Sequence, residues 1–376
     1  MFIAVYFDWK IAIFSQLYIL CSKDFQRGFF MINDLFYTAS RSTADNSGGI
    51  YGMTVDNSSG RVKTEFFQEL YGTSYLAYSV DRKTLYAACA EGKAGAVAAF
   101  RIKADGALEF LNRLPSNGVS TCYVIAAPGG KYLYTASYFT SNISEFSLNE
   151  DGSLKALEKV LTFSGKSVDS RQECPHPHFV NFTPDRTRLT VVDLGLDEIK
   201  LFDFDPEKGL LNVDSPEIFK VEPAGSGPRH LVFNKSGNTA YLVNEIGNTV
   251  AVLSFDGKTF SCRQLISTLP EDCSCYSKTA AIRLSDNGKY LYISNRGYDS
   301  IAVYNVLDNG LLELNSIVPS EGEGPRDINF LPGNKYFAAA NEIGNNTAFF
   351  AYDENTGKLT FTGEKINMPG ALAIYW

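Results

Sequence analysis

One short sequence motif occurs seven times in the chain, and this repeat constrains the fold more than any other feature of the 376 residues. In each copy a polar turn precedes a short run of apolar and aromatic residues, as in Lys83–Ala87 and Lys131–Thr135. The central residues of the seven runs are Phe36, Leu85, Leu133, Leu189, Ala240, Leu291 and Phe337. They lie 46 to 56 residues apart. A fixed period of this length indicates a protein built by stacking one supersecondary unit.

A second run follows the first inside each repeat, as in Ile199–Phe204, Val250–Phe255 and Ile301–Val306. Apolar and polar residues alternate in these runs, which is the period of a β-strand. Glycine turns such as Asp256-Gly257 follow them, and no helical period is sustained. About four short strands per unit of about fifty residues predict an all-β fold. We therefore expect a seven-bladed β-propeller with four-stranded antiparallel blades.

The two ends of the chain are predicted to share one blade. Pro177, Pro228 and Pro325 each stand twelve residues before a central residue and open an innermost strand. The first repeat has no such strand upstream, but residues 369–375 have the sequence pattern of an innermost strand and could supply it. Sharing a blade closes the ring and leaves neither sheet edge open. The sequence thus predicts one propeller domain over residues 31–376.

Residues 1–30 lack the repeat pattern. Their apolar run, Ile11–Cys21, is shorter than the ~20 residues that span a bilayer. No cleavage site with small residues follows it, which argues against export by a signal peptide, the alternative reading. We interpret residues 1–30 as a non-propeller extension, with Met31 as the true start of the protein. We expect the protein to be cytoplasmic.

The charge and the cysteines exclude several classes of protein. There are 34 basic and 42 acidic residues, a net charge of −8, which argues against nucleic acid or a membrane surface as partner. Seven widely spaced cysteines do not form the framework of a small secreted protein. Cys273 and Cys275 have no second pair or histidine nearby to complete a zinc site. We expect them to be reduced thiols in a loop.

Aligning the repeats exposes two positions that vary in charge. Eleven residues before the central residues stand Ser74, Cys122, His178, Arg229, Ala280 and Arg326. Five residues after them stand Arg41, Ala90, Tyr138, Leu194, Glu245, Arg296 and Glu342. If the two strands are antiparallel, both positions fall at one mouth of the central channel. Because arginines outnumber carboxylates there in an acidic protein, the mouth indicates a small anionic substrate.

Other chemistry finds little support in the sequence. No phosphate-binding glycine loop, nucleophile elbow or metalloprotease motif occurs. His176 and His178 could be metal ligands, but a zinc site needs a third ligand and neighbouring arginines would repel the ion. The sequence therefore predicts no cofactor and no metal.

Several motifs together resemble those of the seven-bladed β-propeller lactonase family. They are residues 174–178, 227–230, 243–245, 294–297 and 324–326. The family includes a bacterial type of 6-phosphogluconolactonase and the fungal carboxy-cis,cis-muconate cyclase. The resemblance implies a catalytic set of His178, Arg229, Glu245 and Arg296. Further substrate-binding candidates are His176, His230, Arg326, Glu342 and Arg41, with His176 competing with His178 for the role of the functional histidine.

The resemblance implies hydrolysis of a lactone, with 6-phosphogluconolactone as the leading substrate. Glu245 or His178 would act as general base, and Arg229 and Arg296 would stabilise the oxyanion. Arg326 or Arg41 would hold the phosphate. Two alternatives stay open: a lactonising isomerase of the muconate type, and a non-catalytic platform that binds protein. The sequence does not decide the oligomeric state.

Overall fold

The computed structural model describes residues 34–43 and 46–376, and the elements in this part of the chain are β-strands with no α-helix. The predicted extension at residues 1–30 lies outside the described residues. The strands form seven sheets, one per repeat, and every strand pair is antiparallel. The all-β prediction is confirmed. Within the described residues, no helix is long and apolar enough to span a membrane.

The blades follow one another along the chain. The strands of the first three blades are β1 (Leu35–Ser40), β2 (Gly49–Val55), β3 (Val62–Glu69); β4 (Tyr75–Tyr78), β5 (Thr84–Glu91), β6 (Ala94–Ile102), β7 (Leu108–Pro115); and β8 (Thr121–Ala126), β9 (Tyr132–Ser137), β10 (Asn142–Leu148), β11 (Leu154–Thr162). Those of the fourth and fifth are β12 (Pro177–Phe182), β13 (Arg188–Asp193), β14 (Glu198–Asp205), β15 (Leu210–Leu211), β16 (Glu217–Lys220); and β17 (Pro228–Phe233), β18 (Thr239–Asn244), β19 (Thr249–Phe255), β20 (Phe260–Ser267). The sixth, the seventh and the closing strand are β21 (Lys278–Leu284), β22 (Tyr290–Arg296), β23 (Ser300–Val306), β24 (Leu312–Pro319); β25 (Pro325–Phe330), β26 (Tyr336–Asn341), β27 (Asn346–Tyr352), β28 (Leu359–Asn367); and β29 (Ala371–Tyr375).

The C-terminal strand β29 is the innermost strand of the first blade. It pairs with β1, where Thr38 lies opposite Ile374. The innermost strands β29, β4, β8, β12, β17, β21 and β25 contact one another in sequence around a closed ring. The predicted closure by both termini is therefore confirmed.

Burial explains the strand patterns. The second strand of each blade packs on both faces, so β5 and β26 are almost entirely apolar and buried. The outermost strands have one face in solvent, so β3 and β20 alternate between buried or half-buried and exposed residues. This is the alternation expected of a half-buried strand.

A tyrosine that follows the central residue ties neighbouring blades together. Tyr37 donates to the carbonyl of Gly106 at 2.7 Å, and Tyr292 donates to that of Gly357 at 2.8 Å. Tyr86 and Tyr241 make the equivalent bonds to turn glycines of the next blades. Each phenol is buried, and a buried hydroxyl needs such a partner.

The fourth blade departs from the regular pattern. Its outer edge is split into β15 and β16, which both pair with β14. Pro216 stands between them and has no N–H to donate, which interrupts the ladder. Six blades have four strands, and this one has five.

The prediction of reduced thiols at Cys273 and Cys275 is wrong. In the structure the two form a disulfide within the loop between β20 and β21. The loop turns sharply enough to leave their Cα atoms 5.4 Å apart, within the range that a disulfide bridges. Among the described residues, the free cysteines are Cys89, Cys122, Cys174 and Cys262.

Candidate active site

Three of the predicted site residues sit at β-bulges. The pairing of innermost and second strands skips a residue at His178, at Arg229 and at Arg326. A bulge leaves one residue without a partner and redirects its side chain. The same shift occurs at Cys122 in the third blade. The bulge therefore recurs in the third, fourth, fifth and seventh blades, each time at the aligned position eleven residues before the central residue.

The carboxylates and Arg296 come from the far ends of the second strands. Arg296 is the last residue of β22, and Glu245 and Glu342 directly follow β18 and β26. The N–H of Glu245 donates to the carbonyl of Gly227 at 2.7 Å. This bond fixes Glu245 beside the start of β17. In the fifth blade the pairing of Pro228 with Asn244 brings the two repeat positions, Arg229 and Glu245, side by side.

A cavity of about 770 Å³ opens at this mouth. Seven of the nine predicted site residues line it: Arg41, His176, His178, Glu245, Arg296, Arg326 and Glu342. Arg229 and His230 line a much smaller cavity of about 10 Å³ that also contains Arg326 and Cys122. These two residues are almost fully buried. Arg229 and His230 therefore line this small cavity and do not line the large one at the mouth.

Glu245 is the centre of the site because three guanidinium groups surround its carboxylate. Its Oε1 lies 2.5 Å from Nη2 of Arg171. Its Oε2 lies 2.7 Å from Nη2 of Arg296 and 3.0 Å from Nε of Arg229. The guanidinium of Arg229 also donates to the backbone carbonyl of Ala280 at 2.7 Å, and that of Arg296 donates to another backbone carbonyl at 3.1 Å. The cluster is a rigid network in which one carboxylate orients three cations.

The charges of this cluster shift its pKa values strongly. Burial alone would raise the pKa of Glu245, but Arg296 and Arg229 hold it well below the usual value of 4.5. Burial, with repulsion from Arg296 and Arg326, lowers the pKa of Arg229 to about 9. At neutral pH Glu245 is therefore a carboxylate and Arg229 is a cation.

A second carboxylate, that of Glu342, pairs with arginines of the first and seventh blades. Oε1 of Glu342 lies 2.6 Å from Nη1 of Arg41, and its Oε2 lies 3.6 Å from Nη1 of Arg326. Arg41 is half exposed, so this pair is far better solvated than the Glu245 cluster. Both arginines keep further N–H groups beyond these contacts, because a guanidinium carries five.

The three histidines differ in their surroundings. His178 is buried, and its Nδ1 has no hydrogen-bond partner among the described residues. Burial and the neighbouring Arg229 lower its pKa well below 6.5, so its imidazole is neutral. His176 stacks on Tyr138 with ring centroids 4.1 Å apart. His230 packs among aromatic rings, with its centroid 5.2 Å from that of His178.

Two cations of the cavity wall escaped the repeat alignment. Arg171 stands in the segment between β11 and β12, and Lys278 stands at the start of β21. The longest interval between central residues, from Leu133 to Leu189, marks the insertion that carries Arg171. Lys278 lies two residues before the aligned position of Ala280, so a fixed offset does not reach it.

The cavity wall is basic. Its cations are Arg41, Arg171, Lys278, Arg296 and Arg326, against the carboxylates of Glu173, Glu245 and Glu342. Among the described residues, Lys278 is the cation of this wall that no carboxylate approaches within 4.0 Å. Its Nζ lies 5.1 Å from the ring centroid of Tyr276. On the side of the second and third blades the wall is neutral, with the hydroxyls of Ser74 and Ser120.

The sequence argued against His176 and His178 as metal ligands, and the structure does not bring the two together in a group of metal-ligating side chains among the described residues. The ligand atoms that cluster are those of Glu173, Cys174 and His176, all within 4.8 Å of one another, and His178 is outside this group.

The chain belongs to the seven-bladed β-propeller lactonase family: the family description "Lactonase, 7-bladed beta-propeller" matches residues 36–376. Among its relatives is the 6-phosphogluconolactonase of Bacillus subtilis, 32% identical over 332 residues, which cover 87% of this chain and 94% of that protein.

Solved structures agree with this assignment. A Lactobacillus plantarum protein is similar with a TM-score of 0.85 and 29% identity, over 91% of this chain and 98% of its own. The periplasmic gluconolactonase of Pseudomonas aeruginosa gives a TM-score of 0.84 and 25% identity, over 91% of this chain and 98% of its own. The predicted family and the seven-bladed fold are thereby confirmed.

Proposed function

We propose that this lactonase hydrolyses 6-phospho-D-glucono-1,5-lactone, as a step of the oxidative pentose phosphate route. The observation that carries the proposal is the basic cavity, whose five cations face three carboxylates in a protein of net charge −8. A local positive field of this kind attracts a small anion. The printed name of the Bacillus subtilis relative supports the same substrate.

His178 is the general base of the proposed reaction. Both oxygens of Glu245 are occupied by guanidinium groups, so this carboxylate has little basicity left for water. The neutral imidazole of His178 lines the cavity. A neutral imidazole has one unprotonated nitrogen that can accept a proton. Glu245 is then a positioning residue that holds the arginines.

Arg296 stabilises the charge that develops on the lactone carbonyl oxygen. It lines the cavity, and its guanidinium carries five N–H donors, of which those on Nη2 contact Glu245 and the carbonyl of Thr279. Water adds to the carbonyl carbon as His178 takes its proton, and the oxyanion forms beside Arg296. The ring C–O bond then breaks, and the proton passes from His178 to the departing ring oxygen. Preorganised donors of this kind contribute about 3–4 kcal/mol in other acyl-transfer enzymes.

The phosphate of the substrate binds to the cations that Glu245 does not hold. Lys278 has no carboxylate partner among the described residues of the wall. Arg326 has only a long contact, 3.6 Å, to the carboxylate of Glu342, which also binds Arg41. Lys278 therefore joins Arg326 and Arg41 as a phosphate ligand. Because a phosphorylated sugar is retained inside the cell, the same proposal places the protein in the cytoplasm.

The test is a comparison of two lactones. 6-Phosphogluconolactone is generated in place from glucose 6-phosphate, and its loss is followed against the spontaneous rate, beside unphosphorylated glucono-1,5-lactone. We expect acceleration of both reactions and a higher kcat/KM for the phosphorylated lactone. Equal kcat/KM values would refute the phosphate assignment, and no acceleration of either lactone would favour the binding platform.

A further inference from the structure

We propose that Glu173, Cys174 and His176 form a binding site for a zinc ion at the rim of the cavity. The site is separate from the His178 and Glu245 machinery, and the proposal does not depend on the lactonase reaction. Glu173 and His176 both line the cavity, and Cys174 lies between them in the chain.

The three candidate ligand atoms already stand close together. Nε2 of His176 lies 3.8 Å from Sγ of Cys174 and 3.5 Å from Oε1 of Glu173. Tetrahedral zinc with ordinary bond lengths holds sulfur and nitrogen about 3.6 Å apart, and nitrogen and oxygen about 3.4 Å apart. Two of the three separations therefore lie within a few tenths of an ångström of those around zinc, and the third, between Cys174 and Glu173, is at most 4.8 Å.

The histidine is oriented in advance for this role. Nδ1 of His176 lies 2.9 Å from the backbone carbonyl of Tyr138, a pure acceptor, so Nδ1 carries the proton and donates it. The lone pair is then on Nε2, which faces Cys174 and Glu173. Asp193 accepts the backbone N–H of His176 at 2.8 Å, and the imidazole stacks on the Tyr138 ring. A carbonyl that fixes the tautomer of a metal-binding histidine is a common second-shell feature of zinc sites.

The donor set selects the type of metal. A thiolate with an imidazole suits zinc and similar borderline ions better than magnesium or calcium, which prefer oxygen. Three protein ligands leave a fourth position for water. Arg171 is a cation that interacts with Glu173 and would repel the ion, but its guanidinium is held by the carboxylate of Glu245. Binding converts the Cys174 thiol to a thiolate, so each zinc ion releases one proton.

Cobalt(II) is the probe, because cobalt bound to a thiolate gives a charge-transfer absorption band in the near ultraviolet. Chelator-treated full-length protein is titrated with Co²⁺, and Zn²⁺ is then added to displace it. We expect one Co²⁺ per chain, a thiolate band, proton release on binding, and loss of the band with Zn²⁺.

Three variants make the test specific. Cys174→Ser should abolish the thiolate band. Glu173→Gln, at an exposed side chain, should weaken binding at least about ten-fold without affecting the fold. Cys262→Ser is the matched control, since Cys262 is exposed on the outer strand β20 and its loss should change nothing.

The absence of a thiolate band in the wild-type protein would overturn the proposal. So would an unchanged band in Cys174→Ser. Neither result bears on lactone hydrolysis, so failure of the metal site and failure of the proposed function are distinguishable.

Discussion

Replacing Glu245 by glutamine should destabilise the protein far more than an ordinary loss of an ion pair. The substitution keeps the size of the side chain but removes the only carboxylate that contacts Arg171, Arg229 and Arg296 among the described residues. Leaving a buried charge unpaired costs about 3–5 kcal/mol. Arg229 is 3% exposed and bears this cost in full, whereas Arg171 is 33% exposed and is screened by water.

We therefore expect a loss of about 3 kcal/mol at pH 7. With an unfolding entropy of ~2.1 cal/mol/K per residue, this lowers Tm by about 4 °C. Differential scanning calorimetry measures the shift. Glu342→Gln is the matched control, because its Arg41 partner is 53% exposed, and its cost should stay below about 1 kcal/mol.

The pH dependence of this difference gives a second check. The pKa of Glu245 is lowered on folding, so the stability it contributes is present above its unfolded pKa of about 4.5 and is lost as pH falls through the folded value. The gap in Tm between the wild type and Glu245→Gln should therefore be constant near neutral pH and shrink only below about pH 4.5. A Tm for Glu245→Gln within about 1 °C of the wild type, or a gap equal to that of Glu342→Gln, would show that leaving Arg229 unpaired does not carry this cost.

The remaining predictions concern substrate choice and ring closure. Lys278→Met should lower kcat/KM for the phosphorylated lactone by about 10- to 100-fold and leave the unphosphorylated lactone unaffected. Lys365→Met is its control, since Lys365 also lies 5.1 Å from an aromatic ring but is outside the cavity wall; equal effects of the two variants would exclude Lys278. Arg326→Ala should raise KM mainly for the phosphorylated lactone. Deleting residues 369–376 removes β29, and aggregation or a large fall in Tm should follow; unchanged melting would contradict the shared blade.

The repeat made most of the fold predictable, because each blade repeats one burial pattern. Seven recurring apolar runs indicated seven sheets, and the missing strand before Phe36 indicated the role of residues 369–375. The divided edge of the fourth blade was not predictable in the same way. It depends on a single proline in one outer strand, and the repeat gives no signal for it. Nor was the disulfide of Cys273 and Cys275, because the sequence does not show how sharply their loop turns.

The site was predictable where it follows the repeat and was missed where it does not. His178, Glu245 and Arg296 occupy repeating positions, so alignment found them and the structure places them around one cavity. Arg171 comes from an inserted segment, whose folding over the mouth depends on contacts outside the repeat. The choice of base also needed the structure, because only the distances show that Glu245 is occupied by arginines.

The rate of lactone hydrolysis by His178→Ala shows whether His178 is the general base of the active site. The variant is compared with the wild type on 6-phosphogluconolactone above the spontaneous rate, after Tm confirms that both are folded. Arg263→Lys, on the exposed outer strand β20, is the control that should keep full activity. If His178 is the general base, kcat should fall by about 10²–10⁴-fold. A folded His178→Ala protein that hydrolyses the lactone at the wild-type rate would contradict the assignment of the active site.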